Sequence, residues 1–297
     1  MSDKKQNIQA GSSTLARSDD GTIQITFTVP FPDIQKAKEE AAKELASNVD
    51  VPGFRRGMAP LEKVVEKIPE NTLLEKSLSK ILPKLLSSVI EENKITPAVY
   101  PKFELIKAEE GEDWQIRAIT CELPDIKLGD YKKGLSSQKT VSAIWTPGKD
   151  KKGETKNPSR EEKEQVAIKY LLENTTVNIS KVLINEEVNS RLSKLLERIE
   201  KLGLSLESYL ASVGKTAQVL RQEYETQAKS AIALDLILTK IAKEEKIEID
   251  KKDIDSAVGA GKVDKDLAQE LNTPERRSFI EVILKRRKAL DLLTSLL

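Results

Sequence analysis

Histidine is absent from the 297-residue chain, and cysteine occurs once, at position 121. Without histidine the chain lacks the commonest general base and metal ligand of proteins, which excludes triads that depend on an imidazole. A single cysteine cannot form an intramolecular disulfide or a thiolate metal cluster, and Cys121 lies in a strand-like run where we predict a core position. The composition therefore argues against catalysis by histidine or by a thiolate-bound metal.

The short motifs of nucleotide and metal sites are also missing. The sequence contains no GxxxxGK[ST], no strand-linked GxGxxG, no HExxH and no CxxC. The nearest approach, residues 257–262, has no preceding strand and lacks the first glycine of a phosphate-binding loop, and Val263 stands where Ser or Thr is needed. Carboxylates recur at helical spacing among lysines, which is typical of solvated helix faces. We therefore predict no catalytic residues, no metal site and no cofactor.

Neither sign of charge dominates, and long apolar runs are missing. The chain has 49 Lys and Arg residues against 48 Asp and Glu residues, so no global field steers it to nucleic acid and any contact with a polyanion must be local. No run of about 18 apolar residues occurs, and the N-terminus lacks an apolar signal region. We expect a cytoplasmic protein without a membrane partner.

What the chain does contain is typical of two helix-rich domains. Hydrophobic residues make up 38%, charged residues 33% and aromatics only 4%, and the length fits about two domains. Residues 22–29 alternate apolar and polar side chains, which predicts a half-buried antiparallel strand. Further strands are expected near 103–106 and 114–122, with helices between the first strand and these two. This pattern predicts an α+β N-terminal domain, an antiparallel sheet with a helical hairpin insertion.

A polar stretch rich in Pro, Gly and Lys then precedes a second, purely helical part. We expect an N-terminal domain over 1–135, a linker over 136–160, and an all-α elongated helical C-terminal domain over 161–297. Trp145 is the one large apolar residue of the linker, and we expect it to pack against a neighbouring domain.

The most distinctive stretch is the loop of residues 51–60, between two helical patterns. Proline restricts φ and glycine permits positive φ, so the loop should have a definite shape and protrude as the turn of a hairpin. Its aromatic residue lies beside two arginines, which suit phosphate recognition. The candidate docking residues are Gly53, Phe54, Arg55, Arg56, Gly57, Met58 and Pro60. The alternative is an ordinary surface turn with its phenylalanine folded into the core.

Apolar stripes run along the C-terminal helices at three- and four-residue spacing. Such stripes are usually the core of a helical bundle, but we expect part of this apolar surface to line grooves. The candidate substrate-binding residues are Leu192, Ile199, Tyr209, Tyr224, Phe279 and Ile283.

The segment Gly53-Phe54-Arg55-Arg56-Gly57-x-x-Pro60 resembles the ribosome-docking signature of bacterial trigger factor, Gly-Phe-Arg-x-Gly-Lys-x-Pro. Its position in the chain, after a strand and a helix and before a long helix and two strands, matches as well. Four further segments look like later parts of that family: 130–135, 178–188, 204–210 and 241–247. The resemblance as a whole covers about residues 10–135 and 161–297.

The resemblance implies an ATP-independent chaperone at the ribosomal tunnel exit. The loop would bind a large-subunit protein and nearby rRNA, and the helical part would form a cradle that shields nascent polypeptides. Two departures stand out. Met58 replaces a lysine of the signature, and only about two dozen residues lie where the family carries an FK506-binding-type prolyl isomerase domain. The resemblance therefore implies no isomerase activity here.

Two other functions remain open from the sequence. One is a prolyl isomerase, as the family usually is. The other is a ribosome-independent holdase or assembly scaffold for folded partners, with a homodimer off the ribosome as one form of it. The methionine at position 58, where the signature has a lysine, and the balanced net charge keep the second alternative open.

Overall fold

The structure is a computed structural model that describes residues 13–47, 49, 51–52, 54, 60–142, 159–260 and 273–297. Packing divides the chain into two units. The first contains the described residues up to Leu123 together with Ser180–Leu183, and the second contains Pro124–Ile179 and Ile184–Leu297. Each is described separately below.

The first unit contains a four-stranded antiparallel sheet in the order β1-β2-β4-β3. The strands are β1 Ser13–Arg17, β2 Thr22–Val29, β3 Lys102–Lys107 and β4 Trp114–Cys121. β2 and β4 pair along their whole length, from Thr22 opposite Cys121 to Val29 opposite Trp114. The alternation of residues 22–29 predicted this strand with the bounds it has, and its apolar side chains are buried.

Three helices are inserted between β2 and β3, and the first and third of them pack against the sheet. They are α1 Phe31–Ala46, α2 Leu61–Val65 and α3 Glu70–Asn93. α1 begins at Phe31, because proline is tolerated in a first helical turn and Pro32 therefore does not delay the start. The main core joins the buried side chains of β2 and β4 to those of α1 and α3: Ile23, Ile25, Phe27, Val29, Ile34, Ile81, Leu85, Val89, Trp114 and Ile116. The predicted α+β architecture with a helical insertion is confirmed.

Ser180 completes the first unit from a distant part of the sequence. The Thr22 hydroxyl donates to a carboxylate oxygen of Asp20 at 3.0 Å, so the Ser180 hydroxyl, 2.8 Å away, donates to Thr22 Oγ1. Cys121 is buried beside them, and this burial raises the pKa of its thiol above the usual value. The predicted core position of Cys121 is confirmed.

The second unit is helical in its described residues. Its helices are α4 Tyr131–Ser142, α5 Arg160–Asn174, α6 Lys181–Lys201 (whose first three residues belong to the first unit), α7 Leu206–Val213, α8 Ala217–Glu244, α9 Lys251–Ala260 and α10 Pro274–Ser295. Ser159 starts α5 with a capping box to Glu162, and Thr273 caps α10 with Pro274 in its first turn. The predicted all-α character of this part is confirmed.

The second core is assembled from segments far apart in the sequence. It joins side chains from α4, α5, α8 and α10 with two residues that precede α4: Ile126, Leu128, Tyr131, Leu135, Leu171, Ile237, Ile241 and Leu293. We expected residues 124–135 to complete the N-terminal domain and a linker to begin at 136. The structure instead places this segment in the second unit and continues α4 to Ser142.

Polar contacts fix the same segment. The Tyr131 hydroxyl donates to Glu245 at 2.7 Å, and the Lys132 ammonium lies 2.6 Å from the same carboxylate. The hydrogen bonds from Lys132 and Tyr131 hold the pKa of Glu245 below its ordinary value, while burial raises the pKa of Tyr131.

None of the helices in the described part of the chain combines the length and apolar character needed to cross a bilayer.

Candidate docking loop and apolar faces

The candidate docking loop is carried by a hairpin that has its own small core. Three alanines of α1 leave room for α2 to approach closely, and side chains from α2 and the start of α3 fill the space. The buried members are Ala41, Ala42, Ala46, Val51, Val64, Ile68 and Leu73. The base of the loop is therefore held by packing that does not depend on the sheet core.

Phe54 lies outside this hairpin core. The Phe54 N–H donates to the Val51 carbonyl at 3.1 Å, which closes a turn with Pro52 at its second position. The Phe54 side chain is 45% exposed. The alternative of a phenylalanine folded back into the core is therefore wrong for this structure. Proline 60 is exposed at the other end of the loop, where it immediately precedes α2.

The other predicted docking residues lie outside the described residues: Gly53, Arg55, Arg56, Gly57 and Met58. Trp145 in the predicted linker also lies outside them.

The six predicted substrate-binding residues differ in exposure. Phe279 and Ile283 are 63% and 45% exposed on α10. Leu192, Tyr209 and Tyr224 are half-buried. Ile199 is only 4% exposed, because its side chain packs inside the second unit, so it does not contribute to an exposed surface.

The junction of α6, α7 and α8 carries exposed apolar residues that helical spacing did not single out. α7 has no buried residue, although it is one of the most apolar helices of the chain. We call this surface the apolar tip, and it consists of Leu196, Leu202, Leu204, Leu206, Val213 and Val219. The signal in the sequence was the apolar composition of 202–213, which lacks the polar face that a helix packed on one side requires.

A second exposed apolar surface lies on α10. Phe279, Val282 and Ile283 are spaced by three and four residues, so they lie on one side of the helix, and all three are exposed. We call these three residues the α10 face.

Among the described residues no group of three His, Cys, Asp or Glu side chains is arranged to hold a metal ion.

Comparison with known proteins gives matches in both parts of the chain. The family model described as bacterial trigger factor protein matches residues 12–146, and the model of the trigger factor C-terminus matches residues 149–295. The two matched segments are separated by two residues, 147 and 148.

Curated relatives match over part of their length. Trigger factor of Streptococcus agalactiae serotype III (strain NEM316) is 34% identical over 122 residues, 40% of this chain and 29% of the relative. Trigger factor of Limosilactobacillus reuteri (strain DSM 20016) is 30% identical over 145 residues, 49% of this chain and 33% of the relative. The chain thus spans about a third or less of the length of these relatives.

One solved structure matches over nearly the whole chain. It was reported under the words "Promiscuous Substrate Recognition in Folding and Assembly Activities of the Trigger Factor Chaperone". The match has a TM-score of 0.60 at 13% identity and covers 96% of this chain and 99% of the other. At this identity the match shows a shared fold.

Two neighbouring valines test the packing of the hairpin. Val64 is fully buried in the hairpin core, whereas Val65 is 41% exposed. Val64→Ala should lower the free energy of unfolding of the first unit by about 2 kcal/mol, through lost burial and a cavity. Val65→Ala should cost less than about 0.5 kcal/mol. Urea unfolding, followed by the fluorescence of Trp114 in a Trp145→Phe background, measures both, and equal losses would contradict the assigned packing.

Proposed function

Because the chain belongs to the bacterial trigger factor family, we propose that it is an ATP-independent chaperone that docks beside the tunnel exit of the large ribosomal subunit. There it shields exposed apolar segments of nascent polypeptides in the cytoplasm and assists their folding. Its partners are a large-subunit protein with nearby rRNA on one side, and unfolded chains on the other.

The observation that carries the docking proposal is the exposure of Phe54 on a packed hairpin. An aromatic side chain that is 45% exposed beside a packed core is accessible to a partner pocket. Arg55 and Arg56 follow in the sequence and supply guanidinium groups for carboxylate or phosphate recognition. Met58 removes one charge of the family signature, so docking should be weaker than with a lysine there.

The apolar tip and the α10 face support the shielding role. Nine exposed apolar side chains on these two surfaces offer many weak contacts without a deep pocket. Such contacts suit clients of varied sequence, since no single side chain of the client is required. Release needs no nucleotide, because a client that buries its own apolar residues no longer offers them to the chaperone.

We also propose that the chain carries no isomerase domain. The family places that domain between its N- and C-terminal parts, and here the two matched segments leave only residues 147 and 148 between them. Even the whole predicted linker, 136–160, is too short to form a domain with its own core.

Ribosome binding tests the docking proposal. Phe54→Ala should weaken co-sedimentation with ribosomes about tenfold or more, because it removes the apolar anchor. Arg55→Ala/Arg56→Ala should also weaken binding and reduce its dependence on salt. Tyr100→Ala removes an aromatic side chain that is 75% exposed elsewhere in the first unit, and it is the matched control. Undiminished binding of the combined Phe54, Arg55 and Arg56 variant would refute the proposal.

Suppression of aggregation tests the shielding role. The quadruple variant Leu202→Ser/Val213→Ser/Phe279→Ser/Ile283→Ser should lose most of its ability to keep an unfolded protein in solution at stoichiometric amounts, because each apolar surface gains two polar side chains, at positions that include its most exposed residue. The control is Ile106→Ser/Leu123→Ser, which changes exposed apolar residues of the first unit. Light scattering measures both, and equal activity of the quadruple variant and the wild type would argue against these surfaces.

A proline-peptide isomerisation assay tests the missing enzyme. We expect the rate of cis–trans isomerisation of a short proline-containing peptide to equal the uncatalysed rate at every protein concentration. A rate that rises in proportion to protein concentration would contradict the proposal and restore the isomerase alternative.

A further inference from the structure

The first unit has an open groove beside the hairpin that the proposed function does not use. Its volume is about 800 Å³, and it lies between α1, α2, the start of α3 and the turn between β3 and β4. Its floor is apolar: Ala42, Leu61, Val65, Ile68 and Leu73. Val65 is 41% exposed there, so the floor offers apolar surface that is still in contact with water.

Carboxylates surround this floor. Glu39 projects from α1, Glu62 from α2, Glu70 from the start of α3, and Glu110 from the β3–β4 turn. All four are exposed, and among the described residues none of them has an ion-pair partner. Three different helices and a turn thus bring four negative charges to one groove.

Among the described residues that line the groove, Lys38 is the one cation, and its ammonium lies 5.1 Å from the centre of the Trp114 ring. Its single positive charge is set against four carboxylates, so these lining residues keep a net negative charge. The low-dielectric apolar floor strengthens the resulting negative potential.

We propose that this groove binds a cationic amphipathic polypeptide segment, one that carries Lys or Arg at helical intervals beside a few Leu, Ile or Val side chains. The apolar side chains of the segment would cover Val65 and the rest of the floor, and its cations would approach the four carboxylates. An amphipathic helix in a groove meets both requirements at once.

Charge complementarity selects this occupant over others. RNA and anionic lipid surfaces carry phosphates, which the four carboxylates repel. A neutral apolar segment would bury the floor but would leave the carboxylates crowded around it without compensation. The groove is a polypeptide site distinct from Phe54, and it requires neither ribosome docking nor the apolar surfaces of the second unit.

Peptide binding to the full chain, without ribosomes, tests the proposal. The probe is a fluorescein-labelled helical peptide of about four turns, with leucines on one face and lysines on the other. The control peptide has the same sequence with glutamate in place of each lysine. Fluorescence anisotropy should show binding of the lysine peptide, weakening as salt rises, and much weaker binding of the glutamate peptide.

Two sets of variants locate the site. Glu39→Gln/Glu62→Gln/Glu110→Gln should raise the Kd of the lysine peptide about tenfold, since each rim charge contributes a modest attraction. Glu75→Gln/Glu91→Gln/Glu92→Gln removes three exposed carboxylates outside the groove and should leave the Kd unchanged. Val65→Ser should also weaken binding, and Ile106→Ser, at similar exposure, should not.

The quadruple variant of the apolar tip and α10 face separates this proposal from the shielding role. This variant should bind the lysine peptide with the same Kd as the wild type, even if it no longer suppresses aggregation. An unchanged Kd in the rim triple variant, or equal binding of the glutamate peptide, would overturn the proposal. The alternative occupant is a second copy of the chain. In that case the chain would dimerise as its concentration rises, and the rim triple variant would abolish dimerisation without changing the Kd of the lysine peptide. That result would also overturn the proposal.

Discussion

The pairing of β2 with β4 is the constraint on which the first unit depends. The three inserted helices leave the sheet at Val29 and return to it before β3, so the ends of the insertion are fixed only if the two central strands stay in register. The Phe31 N–H, which donates to Asp113 at 3.0 Å, adds a tie between the start of α1 and the residue before β4. A shift of one residue would turn the apolar side chains of β2 away from α1 and α3.

The hairpin core holds the base of the loop that carries the exposed Phe54. The hairpin core and the sheet core share α1 and α3 but use different side chains, so the first half of α1 packs in the sheet core and its last turns pack in the hairpin core. Glu44 of α1 and Lys80 of α3 add an ion pair at 2.6 Å, and its exposure to solvent makes it a small contribution. The support of the loop is thus mainly apolar.

Local sequence patterns predicted much of this fold. The alternation of residues 22–29 and the helical spacing on either side of the loop identified the sheet, the insertion and the place of Phe54. The sequence did not reveal which core contains Ile126, Leu128, Tyr131 and Leu135. An apolar residue does not indicate in the sequence which element it packs against, and the polar stretch that was predicted as the linker starts only after these four residues. Helical spacing likewise did not separate the buried Ile199 from the exposed Ile283.

The carboxylates of the groove show the same limit. In the sequence Glu39 and Glu62 look like parts of ordinary solvated helix faces, and Glu110 looks like part of an exposed turn, because the three come from separate elements. Only the tertiary structure brings them together.

Ser180 has a consequence for the order in which the protein can fold during its own synthesis. The four strands and three complete helices of the first unit end before Leu123, yet the hydroxyl that completes the Thr22 network is supplied by Ser180. A growing chain builds the sheet first and must wait for the polymerisation of more than fifty further residues before that hydroxyl exists. A fragment cut at Leu123 would end with a mature sheet whose buried Thr22 and Cys121 lack their last partner.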